Sequence, residues 1–260
     1  MIPLHWHTEP TLLLILLGIA WLYALLIGPF RSHFAPAGTP WPVKRSLAFY
    51  AGLLLTYCTI GSPLDQIGED FLFSAHMVQH ELLIYCIPVF IYAGLPYWLI
   101  DAALGREAIR RPVCVATHPV VGLAAFTLCF SLWHIPAFYV AALQSKLIHV
   151  LEHLSLLICA LMMWRPFLSR SRVIPPSNPG VQMLLVFVLM VGQIPLFAFL
   201  SFSKEVFYAP YAYAPRLAFF DISPLNDQIL GGVVMKVTNM VVSLILLGWI
   251  FYQWQKDEAY

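Results

Sequence analysis

Charged residues are scarce in this chain of 260 residues. Asp, Glu, Lys and Arg make up only 10% of it, whereas 60% of the residues are hydrophobic and 15% are aromatic. A soluble globular domain carries about 25% charged residues, so this chain has too little charge to cover a soluble surface of its size. The same composition excludes an intrinsically disordered chain, which would be polar and poor in aromatic residues. The composition therefore predicts a multi-span membrane protein.

Excess positive charge and paired cysteines are also missing. The 14 Lys and Arg residues nearly balance the 13 Asp and Glu residues, which gives a formal net charge of +1. No nucleic-acid partner is expected, since nucleic-acid-binding domains are usually basic. The five cysteines form no Cys-x-x-Cys pair and stand in apolar runs, as is typical of small buried hydrophobic residues. The first seven residues contain no Lys or Arg, which favours a retained first span over a secretory signal.

Long apolar stretches predict an all-α fold, a bundle of seven transmembrane helices in a single integral-membrane domain, residues 1–260. A membrane-spanning helix needs about 20 mainly apolar residues, with a range of about 17–25. The predicted spans comprise residues 11–27, 46–60, 71–95, 113–143, 147–164, 181–202 and 229–254. The second span is short and can continue through Ser62 and Pro63. The fourth contains Pro119 and Pro136, which predict a kink.

The distribution of basic residues predicts how these spans are oriented. The loops after spans one, three and five, together with the C-terminal tail, hold ten Lys and Arg residues, whereas the loops on the opposite side hold three. Lys236 falls within span seven. Because basic residues accumulate in cytoplasmic loops, we expect the N-terminus outside and the C-terminus in the cytoplasm.

Histidines are the most frequent polar candidates within the spans. His76 and His80 in span three are four residues apart, and His149 and His153 in span five repeat that spacing. Residues with this spacing share one helix face. In the predicted orientation both pairs lie in the outer half of the membrane. Ionisable residues at that depth are costly and mark candidate functional sites.

Further candidates are expected at the same depth. His134 lies towards the outer end of span four, and Asp227 lies at the start of span seven. Neutral imidazole is the commonest metal ligand in proteins, so we predict a metal or heme site with Asp227 as a ligand or as a partner that orients an imidazole. The candidate metal-binding residues are His76, His80, His134, His149, His153 and Asp227. Met77 is well placed for a contact with a soft metal, and His5 and His7 could capture metal at the mouth of the site.

The residue types leave the metal chemistry open. Imidazole-rich sites suit Zn, Cu, Fe and Ni. The segment His149-Val150-Leu151-Glu152-His153 fits the H-x-x-E-H pattern of some zinc proteases, but five residues are a weak match and no matching soluble catalytic domain accompanies them. A b-heme electron-transfer protein that uses the same histidines is one alternative. A divalent-metal transporter is another, although Lys236 would be unusual in a cation path.

Several blocks of the sequence together resemble a known family. They are Ser74-Ala75-His76-Met77-Val78-Gln79-His80, Pro88, Gly94-Leu95-Pro96, Trp133-His134-Ile135-Pro136 with Tyr139, His149-Val150-Leu151-Glu152-His153, Trp164-Arg165-Pro166, Asp227-Gln228 and Gly231-Gly232. In order and spacing, over about two-thirds of the chain, these blocks are similar to the membrane-embedded CtaG-type assembly factors of caa-type cytochrome c oxidases. One departure is Lys236, which stands near a position where the family leads us to expect an aromatic residue.

The resemblance implies a protein that is needed to build an active heme–copper oxidase. It implies a role in handling copper for the buried CuB centre of the oxidase, as a metallochaperone and not as an enzyme. The implied partners are a heme–copper oxidase subunit, an extracytoplasmic copper chaperone and the lipid bilayer, and the implied location is the bacterial inner membrane. Copper is the expected metal, and heme b is the alternative.

Overall fold

Helices account for nearly all of the secondary structure. The computed structural model describes residue 6, residues 10–217 and residues 220–258, and 78% of the chain is helical. Within these residues no β-strand is present, only an isolated bridge between Leu217 and Phe220. His5 and His7, the histidines expected at the mouth of the site, lie outside the described residues.

The helices follow one another in a simple order. They are α1 (Pro10–Ile27), α2 (Arg31–Phe34), α3 (Val43–Ile60), α4 (Pro63–Asp70), α5 (Phe73–Glu81), a π-helical turn (Leu82–Cys86), α6 (Ile87–Gly94), α7 (Tyr97–Ala103), α8 (Glu107–Ala116), α9 (Pro119–Trp133), α10 (Pro136–Gln144), α11 (Lys146–Leu168), α12 (Pro179–Gly192), α13 (Ile194–Ser201), α14 (Ala209–Ala212) and α15 (Pro224–Glu258).

Six helical stretches in the described part of the chain are long and apolar enough to cross a membrane. They are Pro10–Ile27, Val43–Asp70, Phe73–Gly94, Lys146–Leu168, Pro179–Ser201 and Pro224–Lys256. The bent pair formed by α8 and α9 raises the count to seven if it is one span. The predicted all-α, multi-span membrane fold is therefore confirmed, and the seven predicted spans match the upper count. The orientation of the termini stays a prediction.

Prolines divide the fourth predicted span, residues 113–143, into three helices. α9 begins at Pro119 after a 63° bend from α8, and α10 begins at Pro136. Proline donates no backbone hydrogen bond and disfavours a helical conformation in the residue before it. Accordingly, His118 and Ile135 have ψ angles of 137° and 127°. The prolines predict a kink, and the structure has two breaks, one before Pro119 and one before Pro136. No single straight helix therefore covers these residues.

The second span extends further than its predicted end at residue 60. Ser62 accepts a hydrogen bond from the backbone N–H of Leu64, and Pro63 occupies the first turn of α4. Both features favour the start of a new helix. α4 thereby carries Asp65 and Glu69 on towards the histidine-bearing helices.

Close helix approaches fix the bundle around its aromatic core. A Cβ added at Gly94 on α6 would lie 2.8 Å from the backbone nitrogen of Phe49 on α3, and one at Gly122 on α9 would lie 2.8 Å from the carbonyl oxygen of Met162 on α11. Lipid provides no hydrophobic force between helices, so small residues that permit close van der Waals contact contribute much of the packing energy. The second approach holds the helix that ends beside His134 against the helix that carries His149.

Candidate metal centre

Two pairs of histidines meet where α5 packs beside α11. The Nε2 atoms of His76 and His80 lie 2.9 Å apart, and those of His149 and His153 lie 3.1 Å apart. The ring centroids of His76 and His149 are 5.3 Å apart, as are those of His80 and His153. All four side chains are buried. The four rings form one cluster, because the histidine-bearing faces of the two helices are turned towards each other.

Glu152 adds a carboxylate to this cluster. Its oxygens lie 3.8 Å from His76 Nε2 and 3.6 Å from His80 Nε2. The side chain is fully buried, and neither oxygen has a hydrogen-bond partner among the described residues. Burial of a carboxylate without a donor or a cation costs much free energy. His76, His149, Glu152 and His153 each place one ligand atom within 4.8 Å of the others, a set that can hold a metal ion.

Hydrogen bonds on the far side of two rings orient their nitrogens. Nδ1 of His149 contacts a carboxylate oxygen of Glu69, and Nδ1 of His134 lies 2.7 Å from the carbonyl oxygen of Phe130. Because carboxylate and carbonyl oxygens only accept, Nδ1 carries the proton in each ring. In the neutral imidazole Nε2 is then left with a free lone pair. Metal-binding histidines are commonly held in this way by a carboxylate or a backbone carbonyl.

Tyrosine hydroxyls support His76 from its other side. The Tyr211 hydroxyl donates to the carbonyl oxygen of Gly68 at 2.6 Å, lies 3.4 Å from His76 Nδ1 and is 2.9 Å from the Tyr139 hydroxyl. Burial raises the pKa of Tyr211 well above its ordinary value of 10.0, so this hydroxyl keeps the proton that it donates. The network connects α4, α10 and α14 to the ring of His76.

Asp227 binds the start of the helix that carries His76. Its carboxylate accepts hydrogen bonds from the backbone N–H of Phe73 at 2.6 Å, from the N–H of Ser74 at 3.2 Å and from the Ser74 hydroxyl at 2.5 Å. The first N–H groups of a helix have no partner within it. Asp227 therefore caps α5 from α15, and it is not among the four residues whose ligand atoms converge. In this structure Asp227 positions the helix that carries His76 and His80.

His134 lies beside the cluster, at the break after α9. Its ring centroid is 5.8 Å from that of His80, and its Nε2 is 3.3 Å from Sδ of Met77. His134 and Met77 are both buried. The converging set of four contains neither His80 nor His134. His80 Nε2 still lies 2.9 Å from His76 Nε2, whereas His134 Nε2 faces Met77, so His134 is a neighbour of the histidine cluster.

A second group of potential ligands connects the cluster to the surface. Asp65, Glu69 and His149 place one ligand atom each within 4.8 Å of one another. The Glu69 side chain is 35% exposed, whereas Asp65 and His149 are buried. His149 belongs to both groups, because its Nδ1 contacts Glu69 while its Nε2 faces His153.

The predicted ligand set omits three carboxylates that the structure brings to the site. Glu152 stands within the H-x-x-E-H segment, so the signal was present in the sequence but pointed to a protease pattern. Asp65 and Glu69 are also four residues apart, the same one-face spacing as the histidines. Because the second predicted span ends at residue 60, both residues fall outside the predicted spans.

Fold and site together define a class of protein: a multi-span helical membrane protein with a buried group of histidine and glutamate side chains that can hold a metal ion. The family model of the cytochrome c oxidase caa3 assembly factor matches residues 21–257. The chain belongs to this family, which confirms the resemblance that its histidine blocks indicate. The family is one of cytochrome c oxidase assembly factors, which implies interaction with the oxidase. No curated protein and no solved structure matches the chain significantly.

Proposed function

We propose that this protein binds copper at the histidine–glutamate cluster and supplies it to the buried copper centre of a heme–copper oxidase during assembly. One observation carries the proposal, namely the fully buried carboxylate of Glu152, which lies among four imidazole rings and has no hydrogen-bond partner within the described residues. A bound cation would compensate the charge of this carboxylate. Membership in an oxidase assembly family supports a non-catalytic role of this kind.

The geometry of the cluster suits a small metal ion bound by imidazole. Two nitrogens that each lie about 2.0 Å from one metal at a tetrahedral angle are about 3.3 Å apart. The Nε2 pairs of the cluster, at 2.9 and 3.1 Å, are within a few tenths of an ångström of that spacing. Neutral imidazoles and one carboxylate would leave a bound Cu(I) ion with no net charge. A neutral complex is the least costly form for a site inside a membrane protein.

The position of the cluster supports transfer within the membrane. The donor helices α5 and α11 both belong to candidate membrane spans, so a soluble carrier could not easily reach the same depth. The metal would pass sideways to an oxidase subunit by ligand exchange, one imidazole at a time. An extracytoplasmic copper chaperone would load the site, and the protein would reside in the bacterial inner membrane.

Removal of the His76 and His80 imidazoles tests this function. The His76→Ala/His80→Ala variant should lose bound copper after purification in detergent, measured by elemental analysis, and cells that carry it should assemble an oxidase without copper in its buried centre. The control is His33→Ala, which changes an exposed histidine and should retain copper. A Soret absorption band in the wild-type protein would indicate heme and contradict the proposal. Normal copper content of the oxidase with the double variant would contradict it equally.

A further inference from the structure

Two buried atoms that can only accept hydrogen bonds face each other beside the cluster. Sδ of Met77 and Nε2 of His134 lie 3.3 Å apart, and their side chains are 0% and 1% exposed. The His134 Nδ1–H donates to the carbonyl oxygen of Phe130 at 2.7 Å. In the neutral ring this leaves only a lone pair on Nε2, and a thioether sulfur has no proton to offer. Two lone pairs in contact inside a protein are unfavourable unless a proton or a cation lies between them.

We propose that Met77 and His134 form a second metal position that is selective for the soft ion Cu(I). This inference rests on the proposed function and adds the oxidation state and the ligand type. Thioether sulfur is a soft ligand that favours Cu(I), whereas sites of imidazole and carboxylate alone accept Zn(II) and other divalent ions as well. The Met77–His134 pair therefore gives the protein a chemical preference that the histidine–glutamate cluster does not provide.

His80 connects the two positions. Its Nε2 lies 2.9 Å from His76 Nε2 and 3.6 Å from a Glu152 oxygen, and so belongs to the cluster. Its Nδ1 is buried and has no hydrogen-bond partner within the described part of the chain. The His80 and His134 rings are 5.8 Å apart. The two nitrogens of His80 can therefore serve in turn, which makes it the shared ligand for an ion that moves from the cluster to the thioether.

The packing around Met77 leaves room for its side chain. A Cβ added at Gly231 on α15 would lie 3.2 Å from Cγ of Met77, closer than normal contact. The glycine thus permits the unbranched side chain to lie between α5 and α15. This close approach gives Met77 a defined position, which a metal ligand requires.

Met77→Leu tests the site, because leucine keeps the volume and removes the sulfur. The full-length protein is loaded with Cu(I) alone or with Zn(II) alone in detergent under reducing conditions. We expect the copper X-ray absorption spectrum of the wild type to contain a sulfur neighbour at about 2.3 Å, within the usual range of metal–sulfur distances, and this neighbour to disappear in the variant. Cu(I) affinity should fall by at least about tenfold, while Zn(II) affinity stays unchanged.

Met163→Leu is the matched control, since Met163 is a buried methionine ten residues beyond His153 on α11. It should keep both the sulfur signal and the Cu(I) affinity. Wild-type protein that binds copper through nitrogen and oxygen alone, or a Met77→Leu variant that retains the sulfur signal, would overturn the inference and leave the proposed function standing. Wild-type protein that binds no copper would overturn the proposed function itself.

Discussion

Glu152 is the residue that separates a metal centre from a set of hydrogen-bonded histidines. Imidazoles in neighbouring membrane helices can donate hydrogen bonds to one another, and such hydrogen bonds stabilise helix bundles. The carboxylate at the same place has no hydrogen-bond partner in the described structure, and a bound cation would compensate its charge. The charge of one side chain therefore carries more functional information than the number of rings around it.

Replacement of Glu152 by Gln should weaken copper binding. The variant keeps the shape and removes the negative charge, so a bound cation would lack its compensating partner. We expect the copper affinity to fall by at least about tenfold, measured by competition with a chelator of known affinity. Glu107→Gln, which changes an exposed glutamate on α8, should have no effect. Equal affinities of the Glu152→Gln variant and the wild type would show that the carboxylate is not used.

Residue spacing predicts that the histidines form a site, but it does not predict which carboxylates join them. The i,i+4 spacing predicts that His76 and His80 lie on one face of their helix, and that His149 and His153 lie on one face of theirs. The use of Glu152 depends on which way α11 is turned against α5, and no periodicity reports that rotation. The Met77–His134 contact likewise depends on two helices whose contact the sequence does not encode locally.

At the scale of elements, α5 is positioned from both ends. Asp227 of α15 caps its first turn, and beyond its last turn the chain continues through the π-helical turn Leu82–Cys86. Such turns interrupt the regular hydrogen-bond pattern of a helix. The carbonyl oxygen of Ile84 in this turn accepts a hydrogen bond from Trp164 Nε1 on α11 at 2.7 Å. This hydrogen bond joins α11 to the turn that continues α5, on the C-terminal side of His80.

The cap of α5 should contribute to stability and to binding. Asp227→Asn keeps the size of the side chain but replaces one accepting oxygen with a donor that the Phe73 and Ser74 N–H groups cannot use. Loss of a helix cap typically costs about 1 kcal/mol, so we expect a lower melting temperature together with weaker copper retention. Thermal unfolding in detergent, followed by circular dichroism, measures the first effect. Asp221→Asn, at a largely exposed position, is the control, and an unchanged melting temperature at 227 would contradict the capping role.

The element boundaries show where local sequence rules hold and where they do not. Proline disfavours a continuous helix, so the sequence predicts that the fourth span is kinked at Pro119 and Pro136. The sequence predicts a continuation of the second span as far as Ser62 and Pro63, but it predicts neither the rest of α4, which ends at Asp70, nor the role of α4. α4 is too polar to resemble a membrane helix, and only its packing against α5 shows that it belongs to the site.

At the scale of the molecule, the acidic group on α4 links the cluster to the surface. Glu69 is the exposed member of this group, and it contacts the same ring that faces His153. A negative charge at the opening of a buried site raises the local concentration of cations and hence the rate at which they bind. The rate of metal loading and the affinity for metal can therefore depend on different residues.

Glu69→Gln should slow copper loading and leave equilibrium binding nearly intact. The amide oxygen of Gln can still accept from His149 Nδ1, so the ring keeps its orientation while the charge is lost. We expect loading to be slower by about tenfold at low ionic strength, with a smaller difference at high salt because screening weakens long-range attraction. Stopped-flow mixing with copper measures the rate. The control is Glu205→Gln, which changes an exposed glutamate and should load copper at the wild-type rate. A Glu69→Gln variant that loads as fast as the wild type would exclude a role of Glu69 in copper loading.

The helix α9 is short in comparison with the thickness of a bilayer. Its 15 residues extend about 22 Å, whereas the hydrocarbon core of a bilayer is about 30 Å thick. Leu128 and Val120 on this helix are exposed. If α9 crosses the membrane without a contribution from α8, the bilayer thins around it, at a cost of a fraction of a kcal/mol per ångström of mismatch. In that case a second membrane protein that covers α9 would remove this elastic cost, and the mismatch would favour docking on the side of the bundle where His134 lies.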